Sequence, residues 1–148
     1  MSAKLLALLI AAASGVAMAL QGSLNAALGK IIGLLETTFI VHLVGLLVIF
    51  LLLFVFRMGD GDWHRYAEAP WYTYLGGILG VVIVYLVVRS IPVLGVAVAT
   101  TAIIVGQVLM ACLVDHLGMF GLERVPFTWY RVAGTALMAS GAFLLLKK

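Results

Sequence analysis

Five stretches of this chain run for 15 to 25 residues without a charged side chain: Leu5 to Gly29, Thr37 to Phe56, Ala69 to Val88, Ser90 to Val114 and Val132 to Leu146. A helix of about 20 apolar residues crosses a hydrocarbon layer of about 30 Å, and most of these runs reach that length. The pattern predicts an all-α integral membrane protein with five transmembrane helices, forming a single transmembrane domain over residues 1–148. The fifth run is the shortest. It reaches a full crossing if Phe127 to Arg131 enter the interface, where Arg131 snorkels and Trp129 and Tyr130 are suitable residues; the alternative is a four-helix protein.

Composition removes other classes. With 65% hydrophobic and 10% charged residues, too little polar sequence remains for a soluble domain. The net charge of +3 is the balance of nine Lys and Arg against six Asp and Glu, and the basic residues are scattered singly between apolar runs. They read as interfacial anchors, and no basic face for nucleic acid exists. Cys112 is the single cysteine, which excludes an internal disulfide and a cysteine metal site, and neither a metal nor a cofactor is expected. Lys4, the apolar run behind it and Ala17-Met18-Ala19 resemble a secretory signal, but the run continues to Leu28 and is expected to stay as a span. The clearly polar loop is Arg57 to Glu68, where Gly59, Asp60, Gly61 and Asp62 break any helix. A short link around Arg89 to Leu94, carrying Pro92, is expected between the third and fourth spans, and Gly118 to Pro126 turns the chain before the fifth.

Charge and aromatic placement bear on orientation. With five spans, the N-terminal side carries Lys4, Arg57, Arg65, Arg124 and Arg131, and the other side Lys30, Arg89, Lys147 and Lys148, which is five against four. Excess Lys and Arg in cytoplasmic segments sets orientation, so a near tie predicts insertion both ways. Trp63, Trp71, Trp129, Tyr66, Tyr72, Tyr74 and Tyr130 all fall on the N-terminal side, with Tyr85 nearest the other. Aromatic belts normally occur at both interfaces, so an antiparallel dimer would complete the pattern. A protein of one orientation with uneven aromatics is the alternative.

Small residues recur at steps of three and four. Gly15, Ala19, Gly22, Ala26 and Gly29 line one ridge of the first span; Gly95, Ala99, Ala102 and Gly106 repeat the spacing in the fourth; Gly76 and Gly80 form a GxxxG pair in the third. In lipid, where the hydrophobic effect no longer drives helices together, such ridges permit the close packing that does. Beside the first ridge, Ser14, Met18, Gln21 and Asn25 form a stripe with two amides inside the apolar run. From a turn expected over Gly29 to Gly33, Gln21 is eight residues back and His42 nine on, which puts both at about 12 to 14 Å depth, with Gln107 at about 18 Å, close to one layer near the midplane. Polar groups there face a bundle interior or a wet cavity, so Gln21, Asn25, His42 and Gln107 are the candidate substrate-binding residues. The competing reading is that they only hydrogen-bond helices together. Glu36, Asp115 and His116 sit near interfaces and read as solvated ends.

Gln21-Gly22 and Asn25 in the first span, Gly106-Gln107 in the fourth and Asp115-His116-Leu117-Gly118 at its end resemble a short family within the drug/metabolite transporter superfamily, the YdcZ-type proteins of the bacterial inner membrane. The likeness runs over nearly the whole chain, including Trp71 at the start of the third span; Leu117 stands where an aromatic is expected. The resemblance implies a five-helix unit like half of a ten-helix inverted-repeat carrier, pairing antiparallel with a second copy. The chain is also similar to four-helix small multidrug exporters, but Gln21 and Asn25 stand where those rely on a buried glutamate. The expected function is a dual-topology, alternating-access transporter of an unidentified small polar or amphipathic molecule, embedded in lipid as an inverted homodimer. A non-transporting membrane scaffold is the alternative. No nucleophile, base and orienting group occur at a recognisable spacing, so an enzyme is not expected.

Overall fold

The computed structural model describes residues 2–126 and 128–146. Phe127, expected at the approach to the fifth span, and Lys147 and Lys148, counted in the charge balance, lie outside the described residues, as does the side chain of Trp63. Among the described residues the chain is all helical: α1 (Ala3–Ile32), α2 (Leu34–Phe50), α3 (Leu75–Leu94), α4 (Val96–Leu117) and α5 (Trp129–Leu146), with no strand. Four helical stretches, Ala3–Ile32, Leu34–Val55, Trp71–Leu94 and Val96–Leu117, are long and apolar enough to cross a membrane. The 18-residue α5, with Arg131 near its start, stands apart from these four.

The breaks between helices are local backbone events. Ser2 caps α1, its hydroxyl accepting the Leu5 N–H at 3.2 Å. The helix then runs thirty residues to Gly33, which has φ 100° and ψ 166°. That conformation belongs almost solely to glycine. One residue suffices as the link: Gly33 donates its N–H to Gly29 O, and Thr37 donates its N–H to Gly33 O, each at 3.1 Å. The same device recurs at Gly95, with φ 82°, ψ 160° and the Ala99 N–H on Gly95 O at 3.1 Å.

Two sequence expectations are corrected here. The turn expected over Gly29 to Gly33 is helix up to Ile32. The link expected around Arg89 to Leu94 is helix as well, because α3 continues through Pro92 and breaks only at Gly95. Proline costs a helix the bond to the carbonyl four residues back. It does not by itself end the helix, whereas the positive φ at Gly95 does.

The expected polar loop follows α2, which ends in a π-helical turn, Leu51–Val55. Arg57 at φ 52° leads into the exposed stretch before a 3-10 turn, Trp63–Glu68. Asp62 caps that turn by accepting the His64 N–H at 3.0 Å. Arg65 grips the Glu68 carboxylate, which raises its already high pKa, so it is cationic whenever that pair is formed. A second 3-10 turn, Trp71–Tyr74, begins after Pro70 and feeds α3, where a span from Ala69 was expected.

The backbone gathers into two compact units that divide between Pro92 and Val93. Buried apolar side chains are few: Ala26, Val88 and Ile91 in the first unit, Ala99 and Cys112 in the second. Most apolar side chains of the spans are left outward, as a bilayer permits and water does not.

Candidate functional site

In the first unit, burial concentrates at the Gly33 end. A Cβ built on Gly29 would stand 2.5 Å from Val88 Cγ1, and one on Gly22 would stand 3.1 Å from both Val87 Cγ1 and Ile91 Cδ1. Between them Ala26 is buried, and Val88 is 0% exposed. The last two turns of α3 therefore lie on the Gly22–Ala26–Gly29 ridge at a distance only glycine allows. Gly15, farther along the predicted ridge, has nothing within 4 Å, and Ala19 is half-buried.

Four polar residues gather around this contact. Asn25 is 7% exposed, and no hydrogen bond to its amide occurs among the described residues. Thr38 donates its hydroxyl to Leu34 O at 2.8 Å, and His42 Nδ1 meets Thr38 O at 2.7 Å. A carbonyl only accepts, so Nδ1 carries the proton; Nε2 lies 3.6 Å from where a Gly80 Cβ would be. Gly80 thus lets α3 pass the His42 ring. Thr37 is the most enclosed of the four: it is 0% exposed, and its Oγ1, like the Asn25 amide, has no hydrogen-bond partner among the described residues. An orphaned buried hydroxyl costs on the order of 1–3 kcal/mol. Glu36 is exposed and folds its carboxylate over Gly33, where any added side chain would meet it.

At its other end this unit is open. Ala3 to Met18 of α1, Leu43 to Leu51 of the second span and Trp71 to Leu79 of the third are exposed throughout. A Cβ built on Gly15, Gly45, Gly76 or Gly77 there would meet nothing within 4 Å among the described residues.

Of the sequence-predicted site, Asn25 and His42 lie at or near the closed end, and no hydrogen bond joins either to Gln21 among the described residues. Gln21 is exposed on α1, and Gln107, in the second unit, is exposed on α4. Each is twelve residues from its own glycine break, Gly33 or Gly95, which is about 18 Å along a helix.

In the second unit the contact between α4 and α5 is held by polar groups at the chain corner. Asp115 Oδ2 accepts from Arg131 Nη1 at 3.0 Å, the two side chains 40% and 31% exposed. Asp115 O accepts the Val125 N–H at 2.8 Å, and His116 O accepts from Arg124 Nε at 2.9 Å. Gly118, left-handed at φ 61°, ends α4. Donors thus meet carbonyls that a helix end leaves unbonded, and two cations sit at the negative end of its dipole. Of the predicted packing residues here, Ala99 is buried, while Gly95 and Gly106 have nothing within 4 Å of a built Cβ. Ala102 lines an open apolar groove of about 430 Å³ with Val98, Val105, Ala139, Ala142 and Phe143.

Two features escaped the sequence reading. The Asp115–Arg131 pair had a signal, an acid at the end of one span and a base at the start of the next. Thr37 had none, because its isolation depends on how Gly29 and Val88 surround it.

A family model described as "Putative inner membrane exporter, YdcZ" matches residues 6–144. No curated protein and no solved structure matches the chain.

Proposed function

Because the chain belongs to the DMT_YdcZ family and is a multi-pass inner-membrane protein, we propose that it is a carrier for a small polar or amphipathic molecule, built from two oppositely inserted copies. In this reading α5 completes a fifth crossing. The family description favours export over catalysis.

The observation that carries the proposal is the exposure of Gln21 and Gln107 in the middle of apolar helices. A primary amide in hydrocarbon loses its hydrogen bonds at a cost of several kcal/mol, of order 4–8 in a medium that offers none. Mid-membrane amides therefore face protein or a wet cavity. Their common distance of about 18 Å from a glycine break favours one polar layer near the midplane. Asn25 and His42 extend that layer toward the Gly33 end, and the Gly22 and Gly106 positions allow close helix approach. Two inverted copies enclosing the amides would interchange inward-open and outward-open forms by exchanging conformations, which is alternating access.

Purified protein in vesicles should move a solute saturably, and Gln21→Leu and Gln107→Leu should each lower that flux at least about tenfold while the dimer persists. Stable variants with wild-type flux, or no saturable flux from a broad solute screen, would favour a scaffold. Orientation is tested separately. With Cys112→Ala and a cysteine at the exposed Gly61, an impermeant reagent on intact cells should reach about half the molecules. Labelling of all or none rejects dual insertion.

A further inference from the structure

The first unit is closed at one end and open at the other, and its closed end contains a flaw. Val87, Val88 and Ile91 of α3 lie against Gly22, Ala26 and Gly29 of α1 so closely that the contact resembles a permanent joint. Yet beside the same contact the hydroxyl of Thr37 is fully buried, with no hydrogen-bond partner among the described residues. Buried polar groups are almost always satisfied, so an unsatisfied one beside so close a contact calls for a reason.

Water is poorly placed to fill the gap. Thr37 Oγ1 stands 3.6 Å from a Cβ position on Gly29, and that position is already overlapped by Val88. The other polar side chains nearby do not relieve it: Thr38 is committed to Leu34 O and His42 to Thr38 O, and no hydrogen bond joins the buried Asn25 amide to Thr37 among the described residues. Withdrawal of α3 would open the hydroxyl to water. Thr37 and Gly29 are each four residues from Gly33, about 6 Å along a helix, so withdrawal would admit water from the nearby membrane surface.

We propose that the seat of Val88 on Gly29 is the closed side of a gate, and that Thr37 keeps it reversible by destabilising the closed form. The proposal rests on the carrier reading for its purpose but not for its test. Small-residue packing supplies attraction between α1 and α3. The orphaned hydroxyl offsets part of it, which brings the two forms close enough in free energy for a solute to shift the balance. Thr37 acts here as a positioning residue; it touches no solute.

The test uses the full chain in detergent and in vesicles. With Cys112→Ala and Val88→Cys in place, N-ethylmaleimide alkylates position 88 only on opening, since that side chain is fully buried. Adding Thr37→Val, which keeps the shape and removes the hydroxyl, should slow alkylation about fivefold and raise Tm. Thr37→Ser, which keeps the hydroxyl, should leave alkylation within about twofold of the parent. Equal or faster alkylation with Thr37→Val, or a lowered Tm, overturns the proposal. A second variant guards against a loosened contact: Gly29→Cys with Val88→Cys should form a disulfide that stops solute flux until a reductant is added. Full flux through the cross-linked protein also overturns the gate. If the unmodified protein moves no solute, the carrier reading fails, and the alkylation comparison still decides the gate.

Discussion

The two units hold their helices together by opposite means. In the first, α3 meets α1 through bare glycine and apolar side chains, and the polar group caught there is unsatisfied. In the second, α4 meets α5 at a corner whose carboxylate and helix-end carbonyls have donors, from Arg131, Arg124 and Val125. A satisfied polar corner loses several bonds if it opens and regains them only from water. An apolar contact enclosing an orphan loses packing but gains a hydrogen bond. The difference suits the corner to staying shut and the glycine contact to opening.

Each part of that contrast can be broken. The largest effect is expected from Gly29→Ile, which drives a branched side chain into Val88 and should destabilise the protein by about 3 kcal/mol in equilibrium unfolding from mixed micelles. Next come the glycine breaks. Alanine at Gly33 or Gly95 must adopt a glycine-only conformation at a cost of about 1–3 kcal/mol. Gly33→Ala should be the worse because its methyl also meets Glu36, and Glu36→Ala should recover part of the loss.

The second unit should respond more mildly. Asp115→Asn removes an ion pair whose carboxylate is 40% exposed, so the loss should be near 1 kcal/mol and smaller in 1 M salt. A charge swap, Asp115→Arg with Arg131→Asp, should recover most of that loss, because it puts a cation in the last turn of α4 and an anion in the first turn of α5, where the helix dipoles favour them. Smallest is Arg65→Gln, at an exposed pair in the polar loop, expected to leave the unfolding midpoint of the wild type unchanged. A corner loss as large as that at Gly29 would erase the distinction between the units.

The helices were legible because hydrocarbon imposes a simple rule. Charge-free runs of sufficient length had to be helices, and four of the five stretches are long and apolar enough to span. Their ends were less legible. Pro92 looked like a break but lies within α3; the turn expected over Gly29 to Gly33 narrows to Gly33 alone, and Gly95, which looked like a packing residue, ends α3. A residue letter gives its allowed conformations, and the chain chooses among them only when neighbouring helices pack.

The candidate site divides along the same line. The amides at Gln21, Asn25 and Gln107 and the ring of His42 stood out as polar letters in apolar runs, but their surroundings did not: Asn25 is buried, and Gln21 and Gln107 are exposed. The Asp115–Arg131 pair joins residues sixteen apart across a corner whose path the letters leave open.

By itself, the sequence determined that this chain lives in a membrane as apolar helices, since periodicity, length and charge are properties of single segments. Which ridge is covered, which hydroxyl is stranded and which end of a unit is shut are properties of pairs of segments. Only tertiary structure decides those, because the energy of a contact depends on atoms that the sequence places far apart.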